Sequence, residues 1–418
     1  MKKVRFAIIG MGNRGTKYAQ HQTLFPDQME VTAIADPRRI RLDSANKFLH
    51  LPEDRLFDSA DALLAQPKLA DVMVIATQDQ QHRDHAIRAM EAGYDLLLEK
   101  PIAVDPRDVQ AIQQTANRLG RRVIVCHVLR YTPFYREVKR LLDEGTVGRI
   151  MTIEAAEHVG YYHIAHSFVR GNWHNTAASS PMILAKCCHD MDLLLWLTGK
   201  HCQKVTSFGH LSYFTAENRP EGATERCTDG CPVANCPYNA PKFYLSHIPG
   251  WPANVLHPEP NEENIMEALR NTDYGKCVFR MDNDVVDHQV LNLQFSDGVT
   301  AVFTMDGFNN IQTRTLRIAG TEGEIWGDFD KDQLCWQRYG QPEHRVDLSA
   351  AETKAGHGGG DTGIVRDVIR LIRGDTFDTS SITTIDRSAE SHYVAFAAEE
   401  SRLKGGELVH LDRFLESL

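Results

Sequence analysis

Three groups of residues in this 418-residue chain have the types and spacing that chemistry requires. The first is Gly10-Met11-Gly12-Asn13-Arg14-Gly15, entered from the apolar run Phe6-Ala7-Ile8-Ile9 and followed by a helical pattern. Glycines so spaced permit a tight turn and let the backbone approach a pyrophosphate seated on a helix N-terminus. The next apolar run ends at Ala35-Asp36, about 20 residues beyond Gly15, where an acid would meet ribose hydroxyls. These features predict a dinucleotide site built from Gly10, Gly12, Asn13, Arg14, Gly15, Asp36 and Arg38. Asp36 favours NAD, because its carboxylate would repel a 2′-phosphate. Arg38 and Arg39 directly behind it leave NADP open.

The second group is Glu99-Lys100-Pro101, at the end of the leucine run Leu96–Leu98. Lys100 falls at the carboxyl end of an expected parallel strand, where open α/β sheets bind ligands. Moving hydride from a carbinol requires loss of the hydroxyl proton, and a positioned cation or acid/base contributes about 10²–10⁴-fold. On the residues alone, a solvated turn accounts for Glu99 and Lys100 equally well. The third group is Lys186, His189 and Asp192, which follow at three-residue steps and share one helical face. His189 reads as a proton-transfer group or as a histidine packed at a domain junction. Lys186 reads as a binder of an anionic substrate group.

Two further stretches could recognise a ligand. Residues 157–175 carry four histidines, Arg170 and several aromatics, Trp173 among them. Aromatic faces and polar tips suit a sugar, so His166, Arg170 and Trp173 are substrate candidates, with Tyr131 a further one. A structural loop or a metal site would use the same residue types. Cys227, Cys231 and Cys236 have C-x3-C-x4-C spacing, which suits structural zinc with a fourth ligand from Cys277 or a histidine such as His247. Free thiols in a packed loop and an iron–sulfur cluster are the alternatives.

These groups need elements to position them. Up to residue 126, short apolar runs (Val4–Ile9, Val31–Ala35, Val72–Ala76, Leu96–Leu98, Val123–Cys126) alternate with amphipathic stretches such as Gln81–Ala92 and Pro106–Leu119. That alternation predicts βαβ units, a parallel sheet and helices on both faces. Beyond residue 126 the runs at 149–157, 287–295, 299–305, 316–319 and 323–329 predict a mainly antiparallel sheet, with a hairpin at Ser296-Asp297-Gly298. Helices over 184–197, 363–373 and 388–403 are expected to complete that half. The fold class is thus α/β: a dinucleotide-binding Rossmann domain over 1–126, then an α+β domain over 127–418 with an open, mainly antiparallel sheet. Residues 214–285, rich in Pro, Cys and Asn, read as an insertion with little regular structure.

The totals narrow the partners. A formal charge of −10 argues against nucleic acid. No stretch approaches the ~18 apolar residues of a membrane span. Nine cysteines, an odd count, suit thiols or ligands in a cytoplasmic protein better than disulfides.

In these motifs the chain resembles the glucose–fructose oxidoreductase/inositol dehydrogenase family (Gfo/Idh/MocA). The matching pieces are the glycine stretch, Ile75-Ala76-Thr77 with His82, Glu99-Lys100-Pro101, Gly145-Thr146-Val147-Gly148-Arg149-Ile150 and His189-Asp190-Met191-Asp192, then Ser388-Ala389-Glu390-Ser391-His392 and Ala398-Glu399-Glu400-Ser401-Arg402. The resemblance implies a Rossmann domain followed by an oligomer-forming sheet domain, hence a homodimer or homotetramer. It implies hydride transfer at a hydroxyl-bearing carbon of a sugar, sugar acid or cyclitol. It also implies Lys100 near the reacting oxygen with His189 as proton partner, Glu99 beside the nicotinamide, Thr77, Gln78 and His82 bordering the cofactor, and His127 near its nicotinamide end. Family inositol dehydrogenases carry an aspartate four residues before the histidine; here that position is Ala185. The family also contains NAD-dependent glycoside hydrolases, which act by transient oxidation at the sugar's C3 and elimination, and a non-catalytic regulator. Both stand as alternatives.

Overall fold

Five apolar runs of the first 126 residues become strands of one six-stranded parallel sheet in the computed structural model, which describes residues 3–348 and 355–418. The strands are β1 (Val4–Ile9), β2 (Met29–Ala35), β3 (Leu56–Phe57), β4 (Val72–Ile75), β5 (Asp95–Leu98) and β6 (Val123–Val125). Their order is β3-β2-β1-β4-β5-β6, and every pairing is parallel. Sheets buried on both faces require continuous apolar strands, which is why β1, β4 and β6 read as unbroken runs. The helix Pro106–Leu119 that carries the chain from β5 to β6 is bounded by its own chemistry. The Asp105 carboxylate accepts from Arg107 N at 2.8 Å, Pro106 opens the first turn and Gly120 closes the last with φ of 61°.

The second sheet has nine strands: β7 (Ile150–Gly160), β8 (Cys202–His210), β9 (His288–Phe295), β10 (Thr300–Asn309), β11 (Thr313–Gly320), β12 (Gly323–Asp328), β13 (Gln333–Arg338), β14 (His344–Arg345) and β15 (Val409–His410). The order is β14-β13-β12-β11-β7-β10-β9-β8-β15, antiparallel throughout except where β7 and β10 run parallel. As the spacing predicts, β9 and β10 form a hairpin, with Asp297 and Gly298 both at positive φ. One face of this sheet packs on the helices Cys188–Thr198 and Ile385–Leu403, in a core that includes Leu194, Leu291, Phe303 and Ala397. Among the described residues, no helix is long and apolar enough to cross a membrane.

Two expectations need correction. The helix Gly360–Arg373 does not serve the antiparallel half. Its Ile364, Val365, Val368 and Ile369 join Phe6, Ile8, Val74 and Leu97 in a core on one face of the parallel sheet. The chain therefore crosses back over the expected division at residue 126. The stretch 214–285 is also more regular than its composition suggests. It holds helices at Ala240–Leu245, Ala253–Leu256 and Glu262–Asn271, which bury Tyr244, Ile265 and Leu269 in a small core of their own. Asn239 and Asn261 cap two of these helices through their side chains, so the Asn content that read as irregularity serves as helix punctuation.

Candidate active site

The glycine stretch forms the turn from β1 into the helix Asn13–Leu24. Gly10 has φ of +93°, and a Cβ there would lie 2.4 Å from Ala76 O; a Cβ at Gly15 would lie 1.9 Å from Gly10 O. Both positions exclude any other residue. A Cβ at Gly12 would meet only Arg41 Nη1, at 3.8 Å. Gly12 thus opens away from the protein, and no side chain caps the helix beside it. Bare backbone at an uncapped helix N-terminus is the cradle that a pyrophosphate requires, so the residues present fit a dinucleotide.

Asp36 supports this turn from the end of β2. Its carboxylate accepts from Met11 N at 2.8 Å and Arg38 N at 2.9 Å, and Arg41 lies 3.3 Å away. Arg39 points elsewhere, paired with Asp43 and Glu53. Arg14, expected against the cofactor, is instead held by protein. It donates to Glu99 at 2.6 Å, to Tyr18 at 2.6 Å and to Asp361 at 2.8 Å. Thr77 Oγ1 lies 3.1 Å from His85 Nδ1, and Gln78 is exposed at the start of the next turn. His82 is buried, and its Nδ1 donates to Pro101 O at 2.7 Å. Its role in the fold is to tie the end of β5 to the end of β4.

Lys100 follows β5, with a cis peptide to Pro101. Its Nζ donates to the carbonyl of Ala185 at 2.7 Å, crossing from the first half of the chain to the second. The adjacent Glu99 accepts from Arg14, from Tyr18 Oη at 2.7 Å and from Lys100 N at 3.1 Å. Burial alone would raise its carboxyl pKa, but Arg14 and Lys100 outweigh that and keep Glu99 ionised.

His189 occupies the first turn of the helix Cys188–Thr198, its ring centroid 5.5 Å from that of His127 and 6.4 Å from that of His357. Its Nδ1 is buried without a hydrogen-bond partner. Burial first, then the nearby Lys100, holds the imidazole well below the usual histidine range and therefore neutral. Behind it, His127 Nδ1 stands 3.3 Å from Asp192, which Arg130 grips through two bonds of 2.6 Å. Burial opposes ionisation of Asp192, but Arg130 and His127 prevail and hold its carboxyl at about 2. His127, Cys188 and His392 bring ligand atoms within 4.8 Å of one another. His392 Nε2 accepts from Ile102 N at 2.9 Å, and burial pushes the Cys188 thiol up to about 12.

The acid missing at position 185 has a counterpart on β7. Glu157 is fully buried, with Lys186 Nζ at 3.2 Å on one oxygen and Arg314 Nη2 at 2.6 Å on the other. Arg314 also grips Asp190 at 2.7 Å. Burial, against the pull of Glu157, lowers the Lys186 pKa. His163 lies in the field of Lys186 and Lys100, and its Nδ1 bonds Gln312 Oε1.

Other candidates from the sequence make contacts within the protein. The Tyr131 hydroxyl is buried against Thr383 at 3.0 Å, within the core of the parallel sheet. His166 bonds Tyr244 Oη at 2.8 Å and stacks on Tyr274, fastening the insertion. Arg170 donates to Tyr238 O and Lys276 O, each at 2.7 Å. Trp173 Nε1 donates to Asp79 at 2.9 Å. Cys227, Cys231 and Cys236 lie apart from this cleft, in the insertion. Two residues missed in the sequence are His357 and Asp361, which are 3.2 Å apart, with Asp361 bound to Arg14. Their signal is the run His357-Gly358-Gly359-Gly360-Asp361, in which His357, Gly358 and Gly359 all have positive φ.

Residues 4–127 match a family model described as an oxidoreductase family with an NAD-binding Rossmann fold. Residues 135–227 match the GFO/IDH/MocA C-terminal domain. The chain is 23% identical over 361 residues to YteT of Bacillus subtilis (strain 168), an oxidoreductase by name, with 82% of this chain and 83% of that protein aligned. It is also 23% identical over 216 residues to the scyllo-inositol 2-dehydrogenase (NAD(+)) of the same strain, aligning 50% of this chain but only 58% of that enzyme. In fold it is similar to the WlbA dehydrogenase of Bordetella pertussis, solved with NADH and UDP-GlcNAcA. The TM-score is 0.69 at 17% identity, over 98% of each chain.

Proposed function

This chain belongs to the GFO/IDH/MocA family of NAD-binding oxidoreductases, and we propose that it transfers hydride between nicotinamide and a hydroxyl-bearing carbon of a sugar, sugar acid or cyclitol. The observation that carries the reading is the meeting of Lys100 Nζ, bonded to Ala185 O at 2.7 Å, with the unpartnered neutral His189. Bound NAD supplies the hydride acceptor. Lys100 keeps donors beyond the one given to Ala185, and these stabilise negative charge developing on the substrate oxygen. His189 takes the hydroxyl proton, since burial keeps its imidazole neutral. His127 and Asp192 stand behind it and limit where its ring can turn.

Lys186 sets the preference for charge. Lys100, Lys186 and Arg314 gather three cations around Glu157 and Asp190. A substrate with a carboxylate, such as a sugar acid, would find cationic partners there. The backbone bonds of Asp36 keep its charge beside the turn at the end of β2, which favours NAD over a cofactor with a 2′-phosphate. A cytoplasmic homo-oligomer belongs to the same proposal, on the strength of the family.

The test is a panel of sugars, sugar acids, cyclitols and aryl glycosides supplied with NAD. Reduced nicotinamide should accumulate in proportion to substrate consumed, with sugar acids foremost. The glycoside-hydrolase reading uses the same Lys100 and His189, and it requires the opposite outcome: aglycone released on catalytic NAD with no net reduction. Neither product, with NAD bound, would leave a regulator and overturn the proposal.

A further inference from the structure

Four cysteines converge in the insertion, although one of them lies far along the chain from the others. An isolated antiparallel bridge joins Arg226 to Lys276, closed by Cys227 N to Gly275 O at 2.8 Å and Cys277 N to Glu225 O at 2.9 Å. Cys227 and Cys277 each follow a bridge residue, so they alternate onto the same face of the pair. The turns after Cys227 bring Cys231 and Cys236 round to that face. All four line one cavity of about 20 Å³, together with Arg170 and Tyr238. None of the four is in a disulfide.

We propose that Cys227, Cys231, Cys236 and Cys277 bind one zinc ion, which ties together two stretches of the insertion that lie far apart along the chain. Four sulfur ligands around one space are the donor set of a closed structural zinc site. A cavity of this size takes about one water-sized sphere, which suits a single ion and not an iron–sulfur cubane. A second observation concerns charge. The guanidinium of Arg170 is buried, and its Nη2 donates to Cys227 Sγ at 3.5 Å. A buried cation aimed at a sulfur offsets part of the negative charge that a four-thiolate site carries. His247 is not the fourth ligand: its Nδ1 is bonded to Phe243 O at 2.7 Å, and it does not line the cavity. Among the described residues, no three of these sulfurs lie within 4.8 Å of one another, so they stand wider than a bound ion requires. Rotation of the cysteine side chains into the shared cavity is the movement that binding demands. Each thiol gives up its proton as its sulfur joins the metal.

The experiment is metal analysis of the full chain produced in zinc-supplemented medium, with release of zinc followed as a mercurial reagent titrates the thiols. One zinc per chain is expected, freed in step with the modification of four cysteines. Cys231→Ser and Cys277→Ser should each lose most of the zinc, whereas His247→Ala should keep it. If the cysteine variants fail to fold, the wild-type chain still decides the matter: cobalt(II) substitution should produce intense thiolate-to-metal charge-transfer bands. A chain free of metal with freely titrating thiols overturns the proposal. So does iron accompanied by acid-labile sulfide, or zinc that survives both cysteine substitutions.

Discussion

The ammonium of Lys186, in the turn between the helices Met182–Ala185 and Cys188–Thr198, stands 3.2 Å from Glu157, a strand residue well upstream in the chain. Arg314 shares that carboxylate at 2.6 Å. Sequence spacing showed an absence at Ala185, and three-dimensional packing supplies another acid nearby.

Glu157→Gln should therefore destabilise the protein by about 3–5 kcal/mol, because it leaves Lys186 buried without its counter-charge. The double variant Glu157→Leu with Lys186→Met should lose less, since it removes both members of the pair. Chemical denaturation of the two variants checks this. A double variant less stable than Glu157→Gln would rule out the pairing as the cause.

Lys100→Ala should lower kcat by about 10²–10⁴-fold while cofactor affinity stays near that of the wild type. Steady-state kinetics and a fluorescence titration with NADH separate the two effects. Unchanged turnover would remove Lys100 from the mechanism.

Gly12→Ala offers a cleaner probe of the cofactor cradle than Gly10 or Gly15, because its added Cβ touches only Arg41 at 3.8 Å. The melting temperature of the protein alone should hardly move. The Kd for NAD should rise by about tenfold or more, equivalent to about 1.4 kcal/mol. Equal losses of stability and affinity would mean that the turn is structural only.

His189 makes a signed prediction about pH. Burial holds its pKa well below 6.5, so the folded protein binds fewer protons there than the unfolded chain once the pH drops below that value. Activity should stay level as pH falls through 6.5 and decline only further down, whereas stability should already begin to decline from about 6.5. A break in kcat/KM centred near 6.5 would show an ordinary, solvated histidine acting as the base.

Asp192 works in the opposite sense. Its carboxyl is held at about 2 against an ordinary 3.8, so its stabilisation is complete above 3.8 and is lost as pH falls from there towards 2. The difference corresponds to roughly 2 kcal/mol. Acid unfolding of Asp192→Asn should lack this component, and an acid limb identical to that of the wild type would exclude it.

Those side chains were legible in the sequence to different degrees. The parallel sheet could be read almost strand by strand, since Phe6–Ile9 and Val72–Ile75 are buried on both faces and are apolar throughout. The glycine turn could be read because Gly10 and Gly15 tolerate no side chain. The loop at 157–175 was ambiguous, because a histidine or arginine that recognises a sugar and one that fastens an insertion have the same composition. His166 and Arg170 are of the second kind. His357 and Asp361 escaped notice because their partner, Arg14, lies at the other end of the chain, beyond the reach of any local pattern.

The helix Gly360–Arg373 has a consequence for how the protein is made. A ribosome delivers all six parallel strands long before it delivers Ile364, Val365, Val368 and Ile369, the side chains that cover one face of their sheet. Until then the nascent chain holds a half-finished layer with Phe6, Ile8 and Leu97 uncovered on that side, the kind of surface that chaperones bind and that aggregates when left alone. Completion of the first sheet's packing thus waits on a segment translated well after all six of its strands.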